Sequence, residues 1–222
     1  MEIKVMKNIL GAHQEIIDSV KATLFSKKVF MVNIIGSPGS GKTTLLENTV
    51  EALGDKYRIA VIEGDVATDH DARRIQRFGI PVVLINTDGA CHLEPLSIQR
   101  ALDEFSLDSL DFIFVENVGN LVCPAEFDIG EFAKIAVSSV PEGHDKPEKY
   151  PLLFNECKAV ILNKLDLVEH TDFDLNIFRD SVKKLNGEAP LMTVSCRNRE
   201  GLAEWHSWLI NERQEWIAKT AV

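Results

Sequence analysis

The stretch Gly36-Ser37-Pro38-Gly39-Ser40-Gly41-Lys42-Thr43 limits the architecture of this chain more than any other. It matches the phosphate-loop pattern without a mismatch, and that pattern works only where a strand feeds the loop and a helix leaves it. Both flanks comply. Residues 29–35 are an apolar run broken only by Asn33, as a buried strand requires. From Thr43 to Leu53 the spacing puts Leu46, Val50 and Leu53 on one helical face, and Gly54 supplies a stop. Backbone amides of such a loop wrap phosphates while the helix N-terminus adds positive potential. Lys42 is expected to reach the β- and γ-phosphates, the Thr43 hydroxyl to hold Mg²⁺, and Thr44 to add a contact at the helix start.

The rest of the chain repeats the alternation. Strands are expected at 57–62, 81–85, 112–115, 134–140, 159–162 and 191–194. Helices are expected at 69–78, from Pro95, and at the C-terminus, where Leu202, Trp205, Leu209 and Trp216 face inward. Unbroken apolar strands alternating with helices mean an α/β fold, a mostly parallel sheet covered on both faces. Ile9, Ile16, Val20 and Leu24 mark an amphipathic helix ending before Ser26. The expected organisation is therefore an N-terminal helix in residues 1–28 packing on a nucleotide-binding domain at 29–222. The segment 141–151, rich in Pro, Glu and Lys, is expected to be a mobile loop.

A formal net charge of −10, with no basic cluster beyond Lys27-Lys28 and Arg73-Arg74, argues against nucleic acid or an anionic membrane as partner. No apolar run reaches membrane-spanning length, and the first eight residues lack a secretory leader. The four cysteines, Cys91, Cys123, Cys157 and Cys196, are too few and too scattered for a disulfide scaffold. A reduced, cytoplasmic setting is expected, with thiols left for packing, redox chemistry or metal.

Glu116-Asn-Val-Gly119 leaves the fourth apolar strand as an acid followed by a glycine three residues on. In nucleotide hydrolases such a glycine swings its amide to the γ-phosphate, with the acid near the metal. Asp65 and Asp71 are candidates for holding Mg²⁺ or orienting the attacking water, although Asp71 also suits a plain helix start. No arginine stands out as a finger in cis, so slow, partner-dependent hydrolysis is expected. Asn163-Lys164-Leu-Asp166 ends a further strand. The Asp166 carboxylate can accept from guanine N1–H and its exocyclic amine, where adenine leaves the charge unpaired. At about 1.5–3 kcal/mol per charged bond this favours GTP over ATP. Ser195-Cys196 is where a second base-contacting loop would lie.

Cys91-His92 follows the third strand, and Cys123 lies seven residues beyond Glu116. Two thiolates and an imidazole at the carboxyl edge of the sheet make an incomplete metal site, finished by water or by a symmetric partner chain. The same residues also suit plain packing, the reading kept for Cys157 and Cys196. The other histidines are isolated, with solvent or packing roles expected.

With these residues together, the chain resembles HypB-type proteins, GTPases that help deliver nickel to [NiFe] hydrogenase. The resemblance runs from Val29 to the C-terminus. It rests on the 36–43 loop, Gly64-Asp65, Cys91-His92-Leu93, the 116–124 peptide and 163–166. It implies a SIMIBI-type P-loop GTPase that uses GTP and Mg²⁺, and a dimer promoted by GTP or metal, with Ni²⁺ or Zn²⁺ on Cys91, His92 and Cys123. It also implies a HypA-type nickel chaperone and a hydrogenase large-subunit precursor as partners. The first 28 residues carry no cysteine-rich or histidine-rich nickel motif. Glu94 stands where relatives usually have Asp, which leaves any supporting role there open. A P-loop kinase and a passive zinc-binding dimerisation module with structural nucleotide are the alternatives.

Overall fold

The computed structural model describes residues 9–65 and 69–220, with side chains from His13 to Lys219. The reading of the first eight residues, and the inward placement of Ile9, fall outside what is described. Seven strands, β1 (Phe30–Gly36), β2 (Ile59–Asp65), β3 (Val82–Asn86), β4 (Phe112–Glu116), β5 (Ala133–Ser139), β6 (Ala159–Asn163) and β7 (Leu191–Thr193), form one sheet. Their order is β3-β2-β4-β1-β5-β6-β7, and every pairing is parallel. All strand C-termini therefore emerge on one edge, where ligands of open α/β sheets bind.

Side-chain alternation along β1 explains the two covering layers. Phe30, Val32 and Ile34 face a core closed by α2 (Lys42–Leu53), Ile75 of α3 (His70–Gln76), and Leu202, Trp205 and Leu209 of α9 (Leu202–Thr220). Trp216 is half-buried against this core, and Trp205 Nε1 donates to Thr49 Oγ1 at 2.9 Å, pinning α9 to α2. On the opposite face Met31 packs with Val20 and Leu24 of α1 (Ile9–Lys27) and Ile98 and Leu102 of α4 (Pro95–Asp103). Ile35 packs there with a third cluster. Burying a Leu- or Phe-sized side chain stabilises by roughly 1.5–3 kcal/mol, so these layers dominate the folding energy.

Several expectations need correction. α1 runs through Ser26 to Lys27 and stops only where Lys28 turns left-handed at φ 57°. β2 continues to Asp65, past the expected end at Ile62, because Glu63 is buried rather than exposed. The segment 141–151 is ordered. Ser139 and Glu142 form a capping box, Lys146–Lys149 is a short helix (α6), and Pro147 and Pro151 open α6 and α7 (Pro151–Glu156) from first-turn positions. Proline there loses no helical bond, so this composition marks helix starts. A helix absent from the expectation, α8 (Leu175–Leu185), is capped by Asp174, which accepts from the amides of Asn176 and Ile177. It buries Phe178 and Val182. No helix among the described residues is long and apolar enough to cross a membrane.

Candidate functional site

The 36–43 loop leaves β1 and enters α2 as its sequence requires. Lys42 is 6% exposed, and its Nζ donates to the carbonyls of Gly36 (3.1 Å) and Ser37 (3.3 Å). That geometry folds the cation over the mouth of the loop. Ser37 Oγ accepts from Lys146 Nζ at 3.4 Å, and the Ser40 amide donates to Ser37 O at 3.2 Å. The loop opens on a 460 Å³ cleft lined by Pro38, Gly39, Gly41, Lys42, Thr43, Glu63, Asp65, Asp71, Arg74, Glu116 and Gly119. A cradle of amides with one buried lysine fits a phosphate chain.

Thr43 Oγ1 donates to Glu116 Oε1 at 2.9 Å, and Lys42 Nζ lies 4.0 Å from the same oxygen. The parallel register sets Glu63 directly beside Glu116. Both carboxyls are buried; Glu63 Oε1 and Glu116 Oε2 have no donor beyond the proton the pair can share. Burial first, and then the charge of Glu116, pushes the Glu63 carboxyl up to about 10. Burial raises Glu116 to about 7, with Lys42 and the Thr43 hydroxyl opposing the shift. Such an all-oxygen set of hydroxyl and carboxylates suits Mg²⁺. Glu63 was not among the sequence candidates, although an acid inside the 59–65 run was its signal.

A raised carboxyl stabilises the fold below its unfolded value, near 4.5, and that contribution is lost as pH rises toward 10. Glu63→Gln, neutral throughout, removes that loss. Without nucleotide, its melting temperature should exceed that of the wild type by at least about 3 °C more at pH 9 than at pH 6. Parallel pH–melting curves would rule the buried pair out as the cause.

Asp65 ends β2 on the cleft wall. Asp71 opens α3 and accepts from Arg74 Nη1 at 3.1 Å. Arg74 thus lines the cleft as well, a residue that the sequence reading did not single out. Its guanidinium also donates to Glu47 at 2.6 Å and to Thr44 Oγ1 at 3.1 Å, tying α3 to the start of α2.

A second opening of 400 Å³ is lined by Gly41, Thr44, Asn163, Lys164, Asp166, Leu167, Cys196 and Arg197. Gly41 borders both clefts. Asn163 Nδ2 donates to Ser40 O (3.0 Å), and its Oδ1 accepts from the amides of Lys164 (2.7 Å) and Cys196 (3.1 Å). Lys164 adopts φ 61°, and its Nζ donates to Gly39 O at 2.5 Å. Ser195 Oγ donates to Asp166 Oδ1 at 2.5 Å, holding one carboxylate oxygen of a residue that lines the opening.

Cys91 and His92 follow β3, and Cys123 opens the short helix α5 (Cys123–Glu126) after β4. Although β2 lies between those strands, the loops meet: the Sγ atoms of Cys91 and Cys123 are 2.9 Å apart, and Cys91 Sγ lies 3.5 Å from His92 Nδ1. One donor atom from each residue falls within 4.8 Å of the others. The hydrogen bond to Cys123 raises the Cys91 thiol above its ordinary range. The His92 ring stacks on Phe127 at 4.2 Å and 7°, a contact no sequence period announced, which fixes the imidazole plane. Glu94 is exposed and makes no side-chain cap for α4. Cys157 and Cys196 are buried, and burial pushes each thiol up to about 12.

A parallel sheet with a phosphate loop at its carboxyl edge, an adjoining second cleft and a cluster of two thiols and an imidazole define a P-loop nucleotide-binding protein. Residues 30–193 match the CobW/HypB/UreG nucleotide-binding domain family. The chain is 44% identical over 213 residues to the hydrogenase maturation factor HypB of Azotobacter chroococcum mcd 1, spanning 95% of this chain and 69% of that one. The solved structure of hydrogenase maturation factor HypB from Archaeoglobus fulgidus superposes with a TM-score of 0.87 at 34% identity, covering 92% of this chain and 100% of that one. HypB from Helicobacter pylori, crystallised in complex with nickel, gives 0.87 at 36% identity, with 92% and 96% covered. The chain belongs to the HypB family of hydrogenase maturation factors.

Proposed function

We infer that this protein is a GTP-hydrolysing nickel-delivery factor for hydrogenase maturation. The observation that carries the reading is the convergence of Cys91, His92 and Cys123 on the edge that holds the phosphate loop. The 116–123 peptide runs from the Glu116 carboxylate in the nucleotide cleft to the Cys123 thiol in the metal cluster. The relative solved with nickel supports that metal as cargo.

In this reading Gly36 to Thr44 hold the phosphates, and Lys42 neutralises charge that develops between the β- and γ-phosphates. Thr43, Glu116 and Glu63 hold Mg²⁺, which would supply charge neutralisation at the phosphates when bound. Asp65 and Asp71 orient the attacking water. Asn163, Lys164 and Asp166 select guanine. The Gly119 amide turns toward the γ-phosphate and draws the peptide with it. Three protein donors leave a fourth position for water, or for a second copy of the chain in a homodimer. That openness suits transfer better than storage, and Zn²⁺ is the competing occupant of such a donor set. A reduced, cytoplasmic setting and delivery to a hydrogenase precursor, with a HypA-type chaperone, complete the reading.

Nickel titrations in the presence of GDP and of a non-hydrolysable GTP analogue test the coupling. Affinities differing by at least about 5-fold are expected, with the metal shifting nucleotide affinity by the same factor. Identical titrations would remove it.

A further inference from the structure

The 116–123 peptide reaches the metal cluster through more than its own Cys123. Two asparagines of this peptide grip the loop that carries Cys91 and His92, one on each side. Asn117 Oδ1 accepts from the amide of Leu93 (3.4 Å) as well as that of Val118 (3.0 Å). Asn120 Nδ2 donates to the carbonyl of Cys91 (3.1 Å), while its Oδ1 accepts from the Val122 amide (2.9 Å). Each side chain thus holds its own strand's loop with one bond and the neighbouring loop with another.

Gly119 sits between the two, and its backbone rests against the phosphate loop. A Cβ there would lie 2.5 Å from Pro38 Cγ. Any movement of Gly119 relative to Pro38 therefore moves a carboxamide on either side of it. Asn117 is also the end of a buried polar chain. Its Nδ2 donates to Asn33 Oδ1 (3.1 Å), Asn33 Nδ2 donates to Glu131 Oε1 (3.2 Å), and Glu131 Oε2 accepts from the Ile129 amide (2.8 Å). Burial raises the Glu131 carboxyl, yet both its oxygens accept here, so the chain fixes which way each amide points and keeps Asn117 Oδ1 turned to Leu93. Asn33 interrupts an otherwise apolar β1 and is fully buried. Such groups persist when every partner is satisfied.

We propose that Asn117 and Asn120 are the positioning residues that transmit nucleotide state to Cys91 and His92, with Asn33 and Glu131 setting the orientation of Asn117. The proposal rests on the nickel-delivery reading and names the contacts through which it works. Neither asparagine is a metal ligand here; each acts through the backbone flanking the Cys-His pair.

The test reads a ratio, the nickel affinity with GDP against that with a non-hydrolysable GTP analogue, which loss of a merely structural bond would not change. In Asn120→Ala, at a half-buried site, the ratio should fall, and in Asn117→Ala/Asn120→Ala it should drop to within about twofold of unity. A folded double variant that keeps the wild-type ratio overturns the proposal and leaves the proposed function standing. Equal affinities in the wild type overturn both. Amide hydrogen exchange in the wild type guards against misfolding of the buried-site variant. Protection of the Leu93 amide should differ by at least about tenfold between the two nucleotide states, and equal protection overturns the proposal.

Discussion

Gly41→Ala should bind guanine nucleotide about 10²–10³-fold more weakly than the wild type. Gly41 adopts φ 97°, where an L side chain costs roughly 1–2 kcal/mol. A Cβ there would also fall 2.3 Å from Asn163 Nδ2. Asn163 has little freedom to retreat, because it joins Ser40 O to the amides of Lys164 and Cys196. Disturbing two of these three bonds at about 1 kcal/mol each brings the total to about 3–4 kcal/mol. The damage falls on both clefts, since Gly41 borders each. Gly39→Ala is the matched control: φ is 78°, but no atom within 4 Å meets the new methyl group. Its loss should stay near tenfold, about 1.4 kcal/mol. Titration with a fluorescent GDP analogue separates the two, and equal losses would discard the Asn163 contact as the cause.

Cys123→Ala and Cys91→Ala should each lower nickel affinity by more than about 100-fold, since loss even of a ligand's supporting hydrogen bond costs 10–100-fold. Either change leaves two of three converging donors. Cys157→Ala is the control. That thiol is buried and pushed up to about 12, so it supplies no thiolate near neutral pH, and full nickel stoichiometry should remain. Isothermal titration of nickel into the three variants checks this, and a Cys123→Ala protein with wild-type affinity would remove the ligand set. His92→Ala and Phe127→Ala extend the comparison, because the stacked Phe127 ring holds the imidazole.

What was legible depended on whether a signal was local. The 36–43 loop and its flanks declare themselves within one stretch of chain, as do the apolar strands and the Asn163 to Asp166 turn. Cys91 and Cys123 were readable as residues at one sheet edge. Their approach depends on loops crossing the end of β2, which follows from the order β3-β2-β4 and has no sequence period. Glu63 marks a harder limit. An acid after Ile59-Ala-Val-Ile62 looks like a strand end, yet the register sets it beside Glu116, where the two share burial. Arg74 stayed hidden in an ordinary helical charge pattern until α3 packed on α2. The segment 141–151 misled by composition, since its prolines begin helices rather than loosen a loop. α8 escaped because Arg179, Asp180, Lys183 and Lys184 obscure the Phe178 and Val182 face.

The meeting of loops over β2 has a consequence for how such a machine can be retuned. Under the proposed function the nucleotide is worked by Gly36 to Thr44 with Glu63 and Glu116, while the ion is held by Cys91, His92 and Cys123, with Phe127 stacked behind the imidazole. No residue belongs to both sets. On that reading, changes at the three donor positions would alter which ion is carried while the nucleotide site keeps its parts.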